Sequence, residues 1–227
     1  MMKYQHILFD LDRTLWDFET NSKLTILEIF DELQLNKYAC FEEFYPAYLS
    51  INQKLWQLYR EGKIGKEHLR TERFRLTLAK FKIHNPSMAE EFADEYIKRS
   101  PMKTSLLPGT YEILQYLSHK GYLLHIATNG FKEVQWIKLK NCRIHHFFQH
   151  VFISEIIGYN KPDLRFFKYT LKRLNTPAEK IVMIGDDYEA DIEGSRNAGI
   201  DQIYFSPHDQ RKATYHIRNL FELQKIL

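Results

Sequence analysis

The stretch Ile7-Leu8-Phe9-Asp10-Leu11-Asp12-Arg13-Thr14 (ILFDLDRT) decides how this chain folds. Three apolar residues form a short buried strand that stops abruptly at a carboxylate. In extended backbone alternate residues share a face, so Asp10 and Asp12 leave the strand on the same side with Thr14 one step beyond. Two carboxylates held together repel unless a cation lies between them or one carries a proton. Both arrangements imply chemistry. The competing reading is a pair of solvated aspartates capping the helix that follows, and the rest of the chain decides between them.

The same punctuation recurs downstream. Apolar runs at Leu123 to Ala127, Val151 to Ile153, Ile181 to Ile184 and Ile203 to Phe205 end at Thr128, Ser154, Gly185 and Ser206. Between them lie amphipathic segments of helix length, Thr110 to Lys120, Lys132 to Asn141, Asp163 to Leu174 and Glu189 to Ala198, two of them closed by Gly121 and Gly199. Strand alternating with helix predicts a parallel sheet. The region 18–103 breaks that rhythm, with helical periodicity and no strand signal. Phe41, Phe44, Tyr48, Ile51, Leu55 and Leu58 recur at three- and four-residue spacings before Gly62 supplies a stop. The expected architecture is α/β: a Rossmann-like, doubly wound parallel core from residues 1–17 and 104–227, with an all-helical cap, 18–103, inserted after strand one. The closing segment 215–227 adds a short extended piece and a terminal helix.

Composition narrows the function classes. The 227 residues are 44% hydrophobic and 27% charged, which suits a folded core. Lys plus Arg number 32 against 29 Asp plus Glu, a net charge of +3 without a basic run, which argues against a nucleic-acid polymer as partner. The two cysteines, Cys40 and Cys142, stand in unrelated contexts, so neither a disulfide framework nor a cysteine zinc site is expected and a reducing cytoplasm is the expected location. No apolar run is long enough to predict a membrane span or an export signal. His145, His146 and His150 crowd together, but their segment reads as the run-in to strand three rather than as a metal site.

In open parallel sheets the site lies beyond the carboxyl ends of the strands. Strand four ends in Gly185-Asp186-Asp187, with Asp191 one helical turn on. Carboxylates from two strand ends, with room for water and phosphate, suit Mg²⁺ better than zinc or a calcium cage. Asp187 and Asp191 also favour the N-terminal end of the helix that follows. Strand two ends in Thr128-Asn129-Gly130, a hydroxyl, an amide and a permissive backbone that together can hold an anion. After strand three comes Lys161-Pro162, a cation with a fixed backbone behind it. Each signal alone is ordinary; their succession at four strand ends is not.

In that order the residues resemble the haloacid dehalogenase-like (HAD) hydrolase superfamily, whose four motifs correspond to Asp10-x-Asp12-x-Thr14, Thr128, Lys161 and Gly185-Asp186-Asp187 with Asp191. The resemblance spans essentially the whole chain, including the position of the cap. It implies phosphate transfer rather than dehalogenation, because the second aspartate, Asp12, is present. By the same resemblance Asp10 is the nucleophile and Asp12 the general acid and base. Mg²⁺ is bound by Asp10, Asp186 and the main-chain carbonyl of Asp12, and Thr128, Asn129 and Lys161 bind phosphate. Thr14, Asp187 and Asp191 stand around the direct ligands. Arg13 departs from the glycine that many members carry, a change at the entrance that leaves the chemistry intact.

Within the superfamily, Leu55-Trp56 through Arg60-Glu61-Gly62-Lys63-Ile64, Thr128-Asn129-Gly130-Phe131 and Ile153-Ser154-Glu155 with Gly158 look most like the noncanonical pyrimidine nucleotidases. That resemblance implies a small phosphomonoester substrate, a pyrimidine nucleoside 5′-monophosphate, with Trp16, Phe18, Trp56 and Phe131 as candidates to stack on a base. A phosphatase of phosphoglycolate or a sugar phosphate, a phosphomutase, and a non-catalytic phosphate-binding regulator are the alternatives.

Overall fold

The computed structural model describes residues 2–207, 209 and 211–227. Six strands form one sheet: β1 (His6–Phe9), β2 (Leu123–Thr128), β3 (Phe148–Ile153), β4 (Ile181–Gly185), β5 (Asp201–Phe205) and β6 (Tyr215–Ile217). Their spatial order is β3-β2-β1-β4-β5-β6, and every neighbouring pair is parallel. The chain therefore starts in the middle of the sheet and winds outward twice. Phe9 lies level with Ile126 of β2 and Ile184 of β4, so the carboxyl ends of the three central strands are aligned.

Alternation along the strands divides the core into two layers. Ile7 and Phe9 join Leu124, Ile126, Val182, Ile184 and Ile203 on one face, where Ile113, Leu114 and Leu117 of α5 (Thr110–His119) pack. Leu8 joins Ala127, Ile181 and Met183 on the other, against Phe166 and Phe167 of α8 (Leu164–Leu174). Helices α6 (Lys132–Asn141) and α7 (Ser154–Ile157) follow β2 and β3. After β4 the chain makes a π-helical turn at Tyr188–Glu193 and then a short α9 (Gly194–Asn197), where one regular helix was expected. The closing segment forms β6 and a 3₁₀ turn at Leu220–Lys225 rather than an α-helix; Leu220 and Leu223 still reach the core.

β3 starts at Phe148, three residues before its apolar run, because Gln149 and His150 interrupt the hydrophobic pattern. His150 has a partner there. Its ring stacks on that of His125 at 5.4 Å, and His125 stacks on His6 at 5.2 Å, so three imidazoles run across three adjacent strands. His6 Nδ1 and His125 Nε2 lie 2.9 Å apart, and Thr176 Oγ1 is 3.1 Å from His6 Nε2. His125 is fully buried, and burial first, then His6 and His150, push its pKa down to about 3.

The chain forms two compact units: one runs up to Phe18 and resumes at Thr104–Leu227, and the other is Glu19–Lys103. In the first, the segments flanking the insert run side by side: Asp17 N–H donates to Ser105 O at 3.0 Å and Leu107 N–H to Leu15 O at 2.9 Å. The second is all-helical, with α1 (Phe18–Glu32), α2 (Phe41–Arg60), α3 (Lys66–Lys80) and α4 (Pro86–Arg99). Ile26, Ile29, Phe30, Phe44, Tyr48, Phe74 and Phe92 make its own core. On α2 the buried face is Phe44, Tyr45, Ala47, Tyr48, Asn52 and Leu55, whereas Ile51 and Leu58 are half-buried. The buried stripe thus takes in a polar residue, Asn52, that an apolar pattern passes over. Among the described residues no helix is long and apolar enough to cross a membrane.

Candidate active site

The aligned strand ends bring the acids together. Asp10 follows β1 directly, its N–H held by Ile184 O of β4 at 2.9 Å. Carboxylate oxygens of Asp10, Asp186 and Asp191 all lie within 4.8 Å of one another. Gly185 makes this possible, because a Cβ there would collide with the Asp191 carboxylate. Asp187 turns its side chain to the backbone N–H groups of Glu189 and Ala190, capping the π-helical turn, and its own N–H donates to Asp191 Oδ2 at 3.1 Å. The expected preference for a helix N-terminus thus describes Asp187, while Asp191 reaches into the acidic group itself. Thr14, fully buried, donates to Asp186 Oδ1 at 3.2 Å.

Lys161 is the cation of this site and is 1% exposed. Its Nζ donates to Asp10 Oδ1 at 2.8 Å, Asp191 Oδ1 at 2.5 Å and Ala127 O at 2.6 Å. All three ammonium protons are thereby used. Burial alone would lower its pKa, but Asp10 and Asp191 outweigh burial and hold it above its ordinary value. The Asn129 side chain is also engaged: its amide donates to Lys161 O at 2.9 Å and accepts from Lys161 N–H at 2.8 Å. Of the three expected phosphate ligands, Asn129 and Lys161 thus brace each other and Asp10. Thr128 Oγ1 accepts from Gly130 N–H at 3.0 Å and keeps its own hydrogen to donate.

Three carboxylates share this small volume, and burial raises each of them. Asp10 stands well above the usual carboxylate range, with Lys161 opposing the rise and Asp191 and Asp186 adding to it. Asp186 is pushed up to about 7 by burial and by Asp191, with Arg13 opposing. Asp191 is raised by burial against the pull of Lys161. The donor set is all oxygen and short of positive charge, which fits a hard divalent cation such as Mg²⁺. Asp12 stands apart from this acidic group.

Asp12 has a partner that sequence reasoning missed. Lys138 on α6 is 6% exposed, and its Nζ lies 2.5 Å from Asp12 Oδ1 and 4.0 Å from the centre of the Trp16 ring. An isolated lysine in an amphipathic segment gives no signal of this; only the fold brings α6 to motif one. Arg13 has left-handed backbone, φ 68°, the region that favours glycine, and its guanidinium stacks 4.0 Å over the Phe18 ring.

The four aromatic candidates divide. Trp16 is fully buried in the sheet's core and Phe131 is 3% exposed, so both present packed rings. Phe18 is half-buried under Arg13, and Trp56, on α2, is half-buried edge-on to Tyr59 at 5.6 Å. His145, His146 and His150 join no metal-binding group: among the described residues the one such cluster is Asp10, Asp186 and Asp191.

Fold and site define an α/β enzyme of the Rossmann-like type, with an acidic centre at the carboxyl edge of its sheet and a helical insert after the first strand. Residues 7–205 match the family described as haloacid dehalogenase-like hydrolase. The chain belongs to that family. Pyrimidine 5'-nucleotidase PynA of Streptococcus pneumoniae is 30% identical over 228 residues, covering 98% of this chain and 94% of that protein. A glyceraldehyde 3-phosphate phosphatase of Methanothermobacter thermautotrophicus is 32% identical over 202 residues, covering 87% and 83%. The crystal structure of the HAD-hydrolase YfnB from Bacillus subtilis, bound to magnesium, is 29% identical and superposes with a TM-score of 0.92 over 100% of this chain and 99% of that one.

Proposed function

We propose that this protein is a magnesium-dependent phosphatase that hydrolyses pyrimidine nucleoside 5′-monophosphates through an aspartyl-phosphate. The observation that carries the chemistry is the Lys161–Asp10 pair at 2.8 Å, buried at the end of the central strand. Lys161 opposes the rise that burial gives the Asp10 pKa and so favours the ionised form that a carboxylate nucleophile requires. An Asp10 oxygen attacks phosphorus, the P–O bond to the alcohol breaks, and Asp12 gives its proton to the departing oxygen. Asp12 then takes a proton from the water that hydrolyses the acyl phosphate. Lys138 holds the Asp12 carboxyl in place, and the Thr128 hydroxyl donates to a phosphate oxygen. Asp10, Asp186 and the Asp12 main-chain carbonyl are the groups that would hold magnesium, whose chemistry when bound is to neutralise phosphate charge.

The pyrimidine nucleotide reading rests on the similarity to PynA, which runs through the helical unit as well as the core. A sugar phosphate is the second reading, favoured by the similarity to the glyceraldehyde 3-phosphate phosphatase. The test is release of inorganic phosphate, with Mg²⁺, from UMP, dTMP, glyceraldehyde 3-phosphate and phosphoglycolate, with Asp10→Asn as control. Selective turnover of the nucleotides supports the first reading, and selective turnover of a triose phosphate the second. Silence of the wild type on every ester, matching Asp10→Asn, refutes both.

A further inference from the structure

The loop that follows β2 and carries Thr128 and Asn129 is gripped from two sides by residues to which the phosphate chemistry assigns no part. Gly130 shows the first grip. Its backbone is not left-handed, so glycine stands there for room rather than for conformational freedom. A Cβ at Gly130 would collide with the carboxamide of Gln135, which stands one turn into α6 and is 1% exposed. Loop and first turn of the helix are thereby packed as one piece. The second grip is on the start of that helix. α6 begins at Lys132, and the apolar side chain of Phe131 before it cannot cap it. Glu155 of α7 supplies the cap from the neighbouring strand end. Its Oε2 accepts from Lys132 N–H at 2.9 Å, and its Oε1 lies 3.9 Å from Lys132 Nζ. The two loops leave the sheet side by side, since Thr128 of β2 is level with Ile153 of β3.

What this piece carries is the phosphate side of the site. Gly130 N–H donates to Thr128 Oγ1 at 3.0 Å, which leaves the hydroxyl its hydrogen to donate. Asn129 Oδ1 accepts from Lys161 N–H at 2.8 Å, and Lys161 Nζ donates to Asp10 Oδ1 at 2.8 Å. A shift in the first turn of α6 would pull Gly130 from Thr128 and Asn129 from Lys161, and misplacements of about 1 Å are felt at the chemistry. We infer that Glu155 is a positioning residue for phosphate binding: by capping α6 from α7 it holds Thr128 and Asn129 in the arrangement that receives the phosphoryl group. This rests on the phosphatase reading and holds for whichever ester is the substrate.

The test uses the full chain with Mg²⁺. It reads the inhibition constant of inorganic phosphate, the KM for whichever ester of the panel above is turned over fastest, and the melting temperature. The variants are Glu155→Ala, Glu155→Gln and Lys132→Pro. Glutamine keeps a carbonyl oxygen for the Lys132 N–H, alanine removes the acceptor, and proline removes the donor at the first helical position, where it is well tolerated. Glu155→Ala and Lys132→Pro should each raise the inhibition constant and KM about 5-fold. The double variant should raise them no further, because both changes remove one hydrogen bond. Glu155→Gln should stay within about 2-fold of the wild type. A lowered melting temperature with phosphate inhibition and KM unaltered would make Glu155 a helix cap and nothing more, overturning the inference while sparing the phosphatase reading. Glu155→Gln as impaired as Glu155→Ala would assign the effect to charge and overturn it too. Should Glu155→Ala fail to fold, a wild-type inhibition constant in Lys132→Pro would overturn the inference by itself. Wild type that releases phosphate from no ester would overturn the phosphatase reading, and the role of Glu155 with it.

Discussion

Acid should weaken this protein through one side chain in the middle of its sheet. His125 titrates near 3 in the fold and near 6.5 in an unfolded chain, because burial and the stacked rings of His6 and His150 oppose its charged form. Between those values the unfolded chain binds a proton that the folded chain refuses, so stability rises with pH. The contribution is fully present above pH 6.5 and is lost progressively toward pH 3. Each pH unit in that window is worth about 1.4 kcal/mol, so moving from pH 7 to pH 5 costs about 2 kcal/mol from this residue alone. In His125→Gln an amide of similar reach still faces His6 Nδ1 and does not titrate. Urea unfolding of both proteins, followed by circular dichroism at pH 7 and pH 5, isolates the effect, since the acidic cluster is common to both. Wild type should lose about 2 kcal/mol more than His125→Gln over that interval. Equal losses would mean that the histidine stack accepts a proton without cost, and the burial argument would fail.

Four further outcomes follow from the site. Lys161→Ala strips the counter-charge from Asp10 and Asp191, and kcat should fall about 10²-fold or more; a change confined to KM would make Lys161 a binding residue only. Lys138→Met frees the Asp12 carboxyl, and steady-state kinetics should show kcat down about 10-fold with KM little altered, whereas wild-type kcat would remove Lys138 from the reaction. Gly185→Ala forces the Asp191 carboxylate aside, so chemical denaturation should show a loss of about 1–3 kcal/mol, and unchanged stability would mean the strand end yields freely. Chelation of divalent cations should silence phosphate release and added Mg²⁺ restore it; full activity in excess chelator would discard the metal.

The fold was legible because each strand ended at a sharp polar boundary, as Ile7-Leu8-Phe9 does at Asp10, and because helices alternated with strands. It was less legible where a polar residue served packing. His150 sits inside β3 because it stacks on His125, and Asn52 sits on the buried face of α2 because it meets Arg73; neither partner is near in sequence. In the site, the strand ends pointed to Asp10, Thr14, Lys161, Asp186 and Asp191, whose side chains meet in the structure. The spacing did not show how their valences are shared. That Lys161 spends its three protons on Asp10, Asp191 and Ala127, that Asn129 braces the lysine backbone, and that Lys138 seizes Asp12 all depend on side chains meeting across strands and helices. Trp16 shows the converse: a large ring beside motif one suggests stacking on a base, yet Thr14, Leu15 and Trp16 are buried in succession and the ring lies in the core.

The position of β1 at the centre of the sheet sets an order of assembly. His6 pairs with Leu123 on one side and Ile181 on the other, and the whole of Glu19–Lys103 is strung between the first partners. A chain made from its N-terminus therefore produces its middle strand first and completes its edges last. While β1 waits, its Ile7-Leu8-Phe9 backbone is an open edge on both sides. The insert, which packs α2 on α3 and α3 on α4 and has a core of its own, can close before either partner strand has been synthesised. The same insertion that brings a second unit into the protein gives the strand that ends at Asp10 the longest wait for its first partner.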